Sequence, residues 1–181
     1  QYVARTGNFR DAGFEYTGVL RIIKVMMSYD YLWTNIRVKG GAYGCMSSFG
    51  RTGDSYFVSY RDPNLRATNE VYEGVPEYLE NFDADEREMT KYIIGTVSEL
   101  DTPLTPSAKG YRSLSAYFSK VAQEDLQRER DEVLNATPQQ IRAAAPLVRA
   151  ILSEQAICVI GNEDKIKQDQ DLFDSIQMLT N

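Results

Sequence analysis

The sequence contains no histidine. That absence excludes Ser-His-Asp and Cys-His nucleophilic machinery, in which an imidazole carries the proton. It also excludes a histidine-ligated zinc site within the chain. Cysteine is scarce as well. Cys45 and Cys158 are the whole supply, too few to close a thiolate zinc site. Both fall in apparent strands, where small buried free thiols are expected rather than a disulfide. No apolar run approaches the roughly 18 residues that a membrane-spanning helix needs, and the opening residues lack the pattern of a secretory signal. An excess of positive charge is missing too: 20 Lys and Arg stand against 26 Asp and Glu, a net charge of −6. Nucleic acid is therefore not an expected partner, because phosphate binding needs a basic surface. Internal repeats, linkers and low-complexity segments are absent, so a single domain over residues 1–181 is expected.

What is present suits a globular chain: 181 residues, 43% apolar and 25% charged, enough to bury a sizeable core. The chain opens on Gln1 rather than Met, and Tyr2-Val3-Ala4 already reads as strand. It is therefore expected to be a piece of a longer polypeptide. A first strand over Gln1–Arg5 is followed by a long helix from about Thr17, as N-cap, to about Arg37. Val19, Ile22, Ile23, Met26, Tyr29, Trp33 and Ile36 mark its inward stripe. Ala42–Phe49 and Ser55–Tyr60 read as a hairpin around the glycine-bearing loop Gly50–Asp54. That loop leads into a strand and lacks the pattern of a phosphate-binding loop.

Asp62-Pro63 suggests a helix start with Asp62 as cap. Leu65, Thr68, Tyr72, Val75, Leu79 and Phe82 hold the helical period, interrupted at Gly74 and Pro76. Acidic residues Asp83–Glu88 load the next N-terminus, which the helix dipole explains more simply than a metal. Met89, Ile93, Val97 and Leu100 carry that helix onward. Thr105-Pro106 opens another, whose Tyr111, Leu114, Tyr117, Phe118 and Val121 are expected in the core. Gln123–Asn135 reads as a charged, solvated helix. From Thr137-Pro138, Ile141, Ala145, Val148, Ile151 and Leu152 face inward. Ala156–Ile160 is a continuous apolar strand expected at the centre of the sheet, and an amphipathic helix is expected over about Gln168–Leu179. Strands near both ends, a hairpin and many helices give an α+β class: a mainly antiparallel sheet with helices packed on one face.

The chemistry of interest lies where the first long helix ends. Gly40-Gly41 offers the positive φ angles that stop a helix. Arg37 stands in the last helical turn with five fixed donors and a permanent charge. Tyr43 stands at the head of the following strand with a neutral phenol. A tight turn between them would bring both tips to one point, suiting a carbonyl oxygen or a developing oxyanion. Each residue also has an ordinary structural reading, since a basic residue is favoured at a helix C-terminus and a strand tyrosine packs well.

The run Leu32-Trp33-Thr34-Asn35-Ile36-Arg37-Val38-Lys39-Gly40-Gly41-Ala42-Tyr43-Gly44 resembles the pitrilysin/insulinase family of zinc metallopeptidases, and within it the presequence-protease (falcilysin-like) subgroup. Weaker similarity extends to Ile157–Asn162. The resemblance implies that this chain is most of the last of four homologous domains that enclose a chamber. Peptide substrate and the N-terminal half of the same polypeptide are the implied partners. Zinc would be bound by that other half and none by this chain, so the piece alone is expected to be inactive. Arg37 and Tyr43 would contact the substrate carbonyl, with Gly40, Gly41 and Ala42 as substrate-binding backbone. A free sheet edge would let the piece self-associate or take up a peptide strand. A cytoplasmic location is expected, with the mitochondrial matrix or another organelle as the alternative. The same fold also serves in non-catalytic scaffold or processing-partner homologues, which is the second functional expectation.

Overall fold

In the computed structural model, residues 1–179 are described. Strands β1 (Tyr2–Asn8), β2 (Gly44–Phe49), β3 (Asp54–Tyr60) and β4 (Ala156–Ile160) form one antiparallel sheet in the order β2-β3-β1-β4. Side chains alternate across it. Val3, Arg5, Ser47, Phe49, Ser55, Phe57 and Ser59 are buried on one face, while Tyr2, Met46, Tyr56 and Ile160 are exposed on the other. The helices cover the first face, as the α+β expectation requires. The second is open, the usual arrangement for an antiparallel sheet with one packed side. The apolar run of β4 is not central. It pairs only with β1 at the sheet edge, and its side chains alternate between exposed and half-buried. An apolar run is consistent with burial on both faces but does not by itself supply the second cover. Cys158 is consequently exposed rather than buried.

The first helix begins as α1 (Val19–Met26) and continues through π-helical turns at Met27–Tyr31 and Trp33–Lys39. Thr17 does not cap it. Gly18 holds the cap position without a side-chain bond, and its N–H donates to Glu132 Oε2 at 2.5 Å. The π turns use wider i→i+5 hydrogen bonds, so the inward stripe shifts. Leu32 and Ile36 are buried, whereas Tyr29 and Trp33 are 68% and 41% exposed. Trp33 is thereby released toward the sheet end where Tyr43 stands.

Asp62 is not a helix cap. Helix α2 (Arg66–Glu73) starts later, and α3 (Val75–Glu80) follows after the break at Gly74. Asp62 is 1% exposed and accepts from Ser59 Oγ at 2.6 Å, Thr68 Oγ1 at 2.7 Å and Asn64 N at 2.9 Å. Leu65, Thr68, Tyr72, Val75, Leu79 and Phe82 are all buried, in keeping with their period. Helix α4 (Glu86–Leu100) is capped by Asp85, which accepts from Glu88 N. Helix α5 (Pro106–Phe118) is capped by Thr105.

The aromatic stripe of α5 is not core: Tyr111, Leu114, Tyr117 and Phe118 are all exposed. Periodicity finds an apolar face but cannot say whether another element covers it. Helix α6 (Gln123–Leu134) is less solvated than its charge suggests. Its Glu129 is 4% exposed and takes Arg21, Arg51 and the Tyr16 hydroxyl. Helices α7 (Pro138–Ala143) and α8 (Ala145–Ser153) bury Ile141, Ala145, Val148, Ile151 and Leu152 as expected.

After β4 come α9 (Glu163–Gln168) and a single 3₁₀ turn, Gln170–Leu172. The helix expected over Gln168–Leu179 does not form, and Ile176 and Leu179 are exposed. A short amphipathic stretch with no apolar surface beneath it gains too little to hold a helix.

Glu129 carries a clear prediction. Glu129→Gln leaves two arginines facing a neutral amide, a loss of about 3–5 kcal/mol measurable by urea unfolding. Glu70→Gln on the exposed side of α2 should shift stability by no more than about 0.5 kcal/mol.

Candidate functional site

The helix that begins with α1 ends in a turn built by glycines with different duties. Gly40 keeps a right-handed backbone at φ −79°, so only Gly41, at φ +80°, takes the left-handed angle. The N–H of Gly41 donates to the Arg37 carbonyl and that of Ala42 to the Ile36 carbonyl, both at 3.1 Å, satisfying the last helical acceptors. Asn64 Nδ2 donates to the Gly40 carbonyl at 2.7 Å, tying the turn to the segment after β3. The N–H of Tyr43 donates to the Tyr60 carbonyl at 3.2 Å and, more weakly, to that of Arg61 at 3.4 Å.

This turn brings Arg37 and Tyr43 together. An Arg37 Nη1 hydrogen donates to the Tyr43 carbonyl, with a longer contact of 3.5 Å to the Ala42 carbonyl. The guanidinium carbon lies 4.6 Å from the Trp33 ring centroid and 5.6 Å from that of Tyr43. Tyr43 is 57% exposed, Arg37 is half-buried, and the Tyr43 hydroxyl has no protein partner among the described residues. Tyr60 packs beside Tyr43 with ring centroids 5.5 Å apart. Gly44 makes room for it, since a Cβ there would lie 2.5 Å from the Tyr60 ring. Arg61 joins the cluster, its guanidinium carbon 5.2 Å from the Tyr43 centroid.

Of the candidate backbone positions, Gly41 is exposed and Gly40 half-buried, but Ala42 is 3% exposed and belongs to the core. The Ala42 side chain is therefore withdrawn from any ligand at Tyr43. Trp33, Tyr60 and Arg61 were not singled out from the sequence. Trp33 was assigned inward by a helical period that the π turns alter, and nothing in the spelling of Arg61 announces its left-handed φ of 48°.

Behind the site, Cys45 is half-buried and its thiol is pushed up to about 11, chiefly by burial, with Arg37 pulling the other way and Asp62 adding to the rise. That environment suits packing, not a thiolate nucleophile. Among the described residues, no three His, Cys, Asp or Glu side chains gather where they could hold a metal ion. The residues of this chain do not fit a zinc centre. What the cluster offers is positive charge and hydrogen-bond donors at an accessible sheet end.

The sequence profile of the PreP C-terminal domain family matches residues 1–165. Protein HypA of Clostridium perfringens is 49% identical over 98% of this chain and 18% of its own length. Presequence protease 1, chloroplastic/mitochondrial, of Arabidopsis thaliana is 36% identical over 90% of this chain and 15% of its own. The chain thus spans less than a fifth of the curated relatives it matches. Among solved structures, a candidate zinc protease from Bordetella pertussis superposes with a TM-score of 0.62 at 15% identity, covering 89% of this chain and 94% of that one. The inactive peptidase domain of a candidate zinc protease from Bordetella parapertussis gives 0.64 at 14% identity, over 90% and 91%. These two likenesses are of fold.

Two measurements probe the geometry. Cys45 should resist alkylation near pH 8 and gain reactivity about tenfold per pH unit toward pH 11, because only the thiolate reacts. Exposed Cys158 should label first, as peptide mapping after brief iodoacetamide treatment would show. Gly44→Ala must displace the Tyr60 ring; a cost of roughly 1–3 kcal/mol is expected, with altered near-ultraviolet tyrosine circular dichroism as its signature.

Proposed function

The chain belongs to the PreP C-terminal domain family, a family of peptidase relatives, and from that premise we propose that it forms part of the substrate chamber of a larger zinc metalloendopeptidase that degrades short unfolded peptides. In this reading it is most of the last homologous domain. The N-terminal half of the same polypeptide is its partner and holds the zinc. No step of the reaction is completed by this chain alone.

The observation that supports the reading is that the Arg37 guanidinium lies against the Tyr43 ring and main chain while Tyr43 is exposed and its hydroxyl is unengaged among the described residues. Arg37 braces the turn by donating to the Tyr43 carbonyl and holds its charge beside the phenol. Tyr43 donates its O–H to the peptide carbonyl oxygen. The Tyr43 hydrogen bond strengthens as that oxygen takes on negative charge, and the Arg37 charge beside the phenol favours the same change, which is how a preorganised donor lowers a barrier. Gly41 lets the backbone approach at the turn. The unpaired side of β2 starts at Gly44, next to Tyr43, so an extended peptide has backbone donors and acceptors beside the same point. That edge is also where the piece by itself would pair with a second copy.

The plant and fungal relatives are named as mitochondrial or chloroplastic, which supports the organellar location over the cytoplasmic one. The Clostridium relative is bacterial, and for a bacterial source the cytoplasmic location is the one we propose. A scaffold role in the same fold is the competing reading, and the exposed, unengaged Tyr43 hydroxyl weighs against it.

Tyr43→Phe in the intact parent enzyme should lower kcat by about 10²- to 10³-fold, the usual loss for one oxyanion donor. Its melting temperature should stay within about 1 °C, since the hydroxyl holds nothing in the fold. Wild-type turnover in the variant would remove Tyr43 from the mechanism and favour the scaffold.

A further inference from the structure

We propose that Arg61 is a second substrate-anchoring residue, whose guanidinium takes a carboxylate of the bound peptide beside Tyr43. The inference rests on the reading of Arg37 and Tyr43 as substrate contacts and names what else they are set next to.

Three observations support it. First, Arg61 is exposed and forms no ion pair or side-chain hydrogen bond among the described residues. Arg5, Arg21, Arg51, Arg66 and Arg130 are each committed to a carboxylate. Arg61 instead lies 5.2 Å from the Tyr43 ring centroid. A cation–π contact holds a guanidinium in place without consuming its N–H groups, so the fork stays open for a bidentate carboxylate. Arg37 differs, because one of its nitrogens is engaged by the Tyr43 carbonyl.

Second, the backbone at Arg61 is left-handed, with φ 48°. That conformation disfavours a residue with a Cβ, and glycine would hold it at less cost. The surroundings enforce it. Tyr43 N donates to the Arg61 carbonyl, Asp62 N donates to the Gln1 carbonyl at 3.0 Å, and the Asp62 carboxylate is locked by Ser59, Thr68 and Asn64. A strained turn therefore presents this side chain at the site.

Third, the local charge opposes that of the chain. Net charge is −6, yet two guanidiniums, of Arg37 and Arg61, lie against the Tyr43 ring. Asp62, the neighbouring acid in sequence, is buried and turned to its three donors. A cationic pole of this kind attracts an anionic group of the ligand. A peptide has two sources of one chemistry: its C-terminal carboxylate and its Asp or Glu side chains.

The test uses the intact parent enzyme and three matched peptides: a free acid, the same peptide amidated at its C-terminus, and one with its acidic side chains changed to amides. Wild type should show a KM about tenfold lower for the free acid than for one of the two neutralised peptides, the scale of one charge-assisted bidentate contact. Whichever neutralisation raises KM identifies the source. Arg61→Gly fits the left-handed backbone, so it should melt at or above the wild-type temperature while the KM ratio collapses to about one. Arg61→Lys, which keeps charge but not the fork, should fall between. A wild-type enzyme with no preference, or a glycine variant that retains the preference, overturns the proposal. So does a glycine variant that loses kcat equally on all three peptides. Tyr43→Phe measured alongside separates the readings: full activity there sinks the parent assignment, whereas a large kcat loss with no Arg61 effect sinks only this one.

Discussion

The buried carboxylate of Asp62 holds together the part of the molecule that matters most. A charge taken from water costs several kcal/mol unless hydrogen bonds replace its hydration, and Asp62 has three donors, from the end of β3, the following loop and α2. That requirement fixes where the chain leaves the sheet. It places Asn64 to grip the Gly40 carbonyl and Arg61 to meet the Tyr43 amide. The turn carrying Tyr43 is thus clamped from a segment more than one strand away. Its rigidity comes from this clamp more than from the glycines themselves.

Around the clamp the two faces of the sheet divide the labour. The buried face stacks Phe49, Phe57 and Tyr72, with centroids 5.9 Å and 5.7 Å apart, and each such side chain contributes about 1.5–3 kcal/mol by leaving water. Arg5 also crosses this face, donating to Asn69 Oδ1 at 2.8 Å and the Leu152 carbonyl at 2.6 Å and pairing with Glu73. The opposite face stays open, with Tyr2, Met46 and Tyr56 exposed, and the Arg37–Tyr43–Arg61 group stands at one end of the sheet. A sheet anchored on one side and open on the other suits the wall of an enclosure, in keeping with the chamber role proposed for the chain.

Much of this was legible from residue order. Ile141, Ala145, Val148, Ile151 and Leu152 announced a buried helical face and are buried. The hairpin around Gly50–Asp54 formed where its turn residues said it would, and Thr105, Thr137 and the Gly40-Gly41 pair marked helix ends. Two of the failures share one cause. Tyr111, Leu114, Tyr117 and Phe118 have the period of a core stripe and are exposed; Ala156–Ile160 has the composition of a central strand and lies at an edge. In each case the apolar pattern described one element, and burial depends on a second.

The sequence by itself determined the chemical limits of this chain: it has no imidazole and only two thiols to offer a metal, and it places a guanidinium and a phenol across a diglycine bend. Those follow from residue identity and short spacing, which no packing can change. Only the tertiary structure decided that Trp33 turns outward, that Asp62 is a buried hub rather than a cap, and that Arg61 stands beside Tyr43. The first follows from a change of helical pitch that the residue period does not announce; the other two depend on contacts between segments far apart in the chain, because a buried charge or a left-handed residue is held in place by such contacts rather than by its neighbours in sequence.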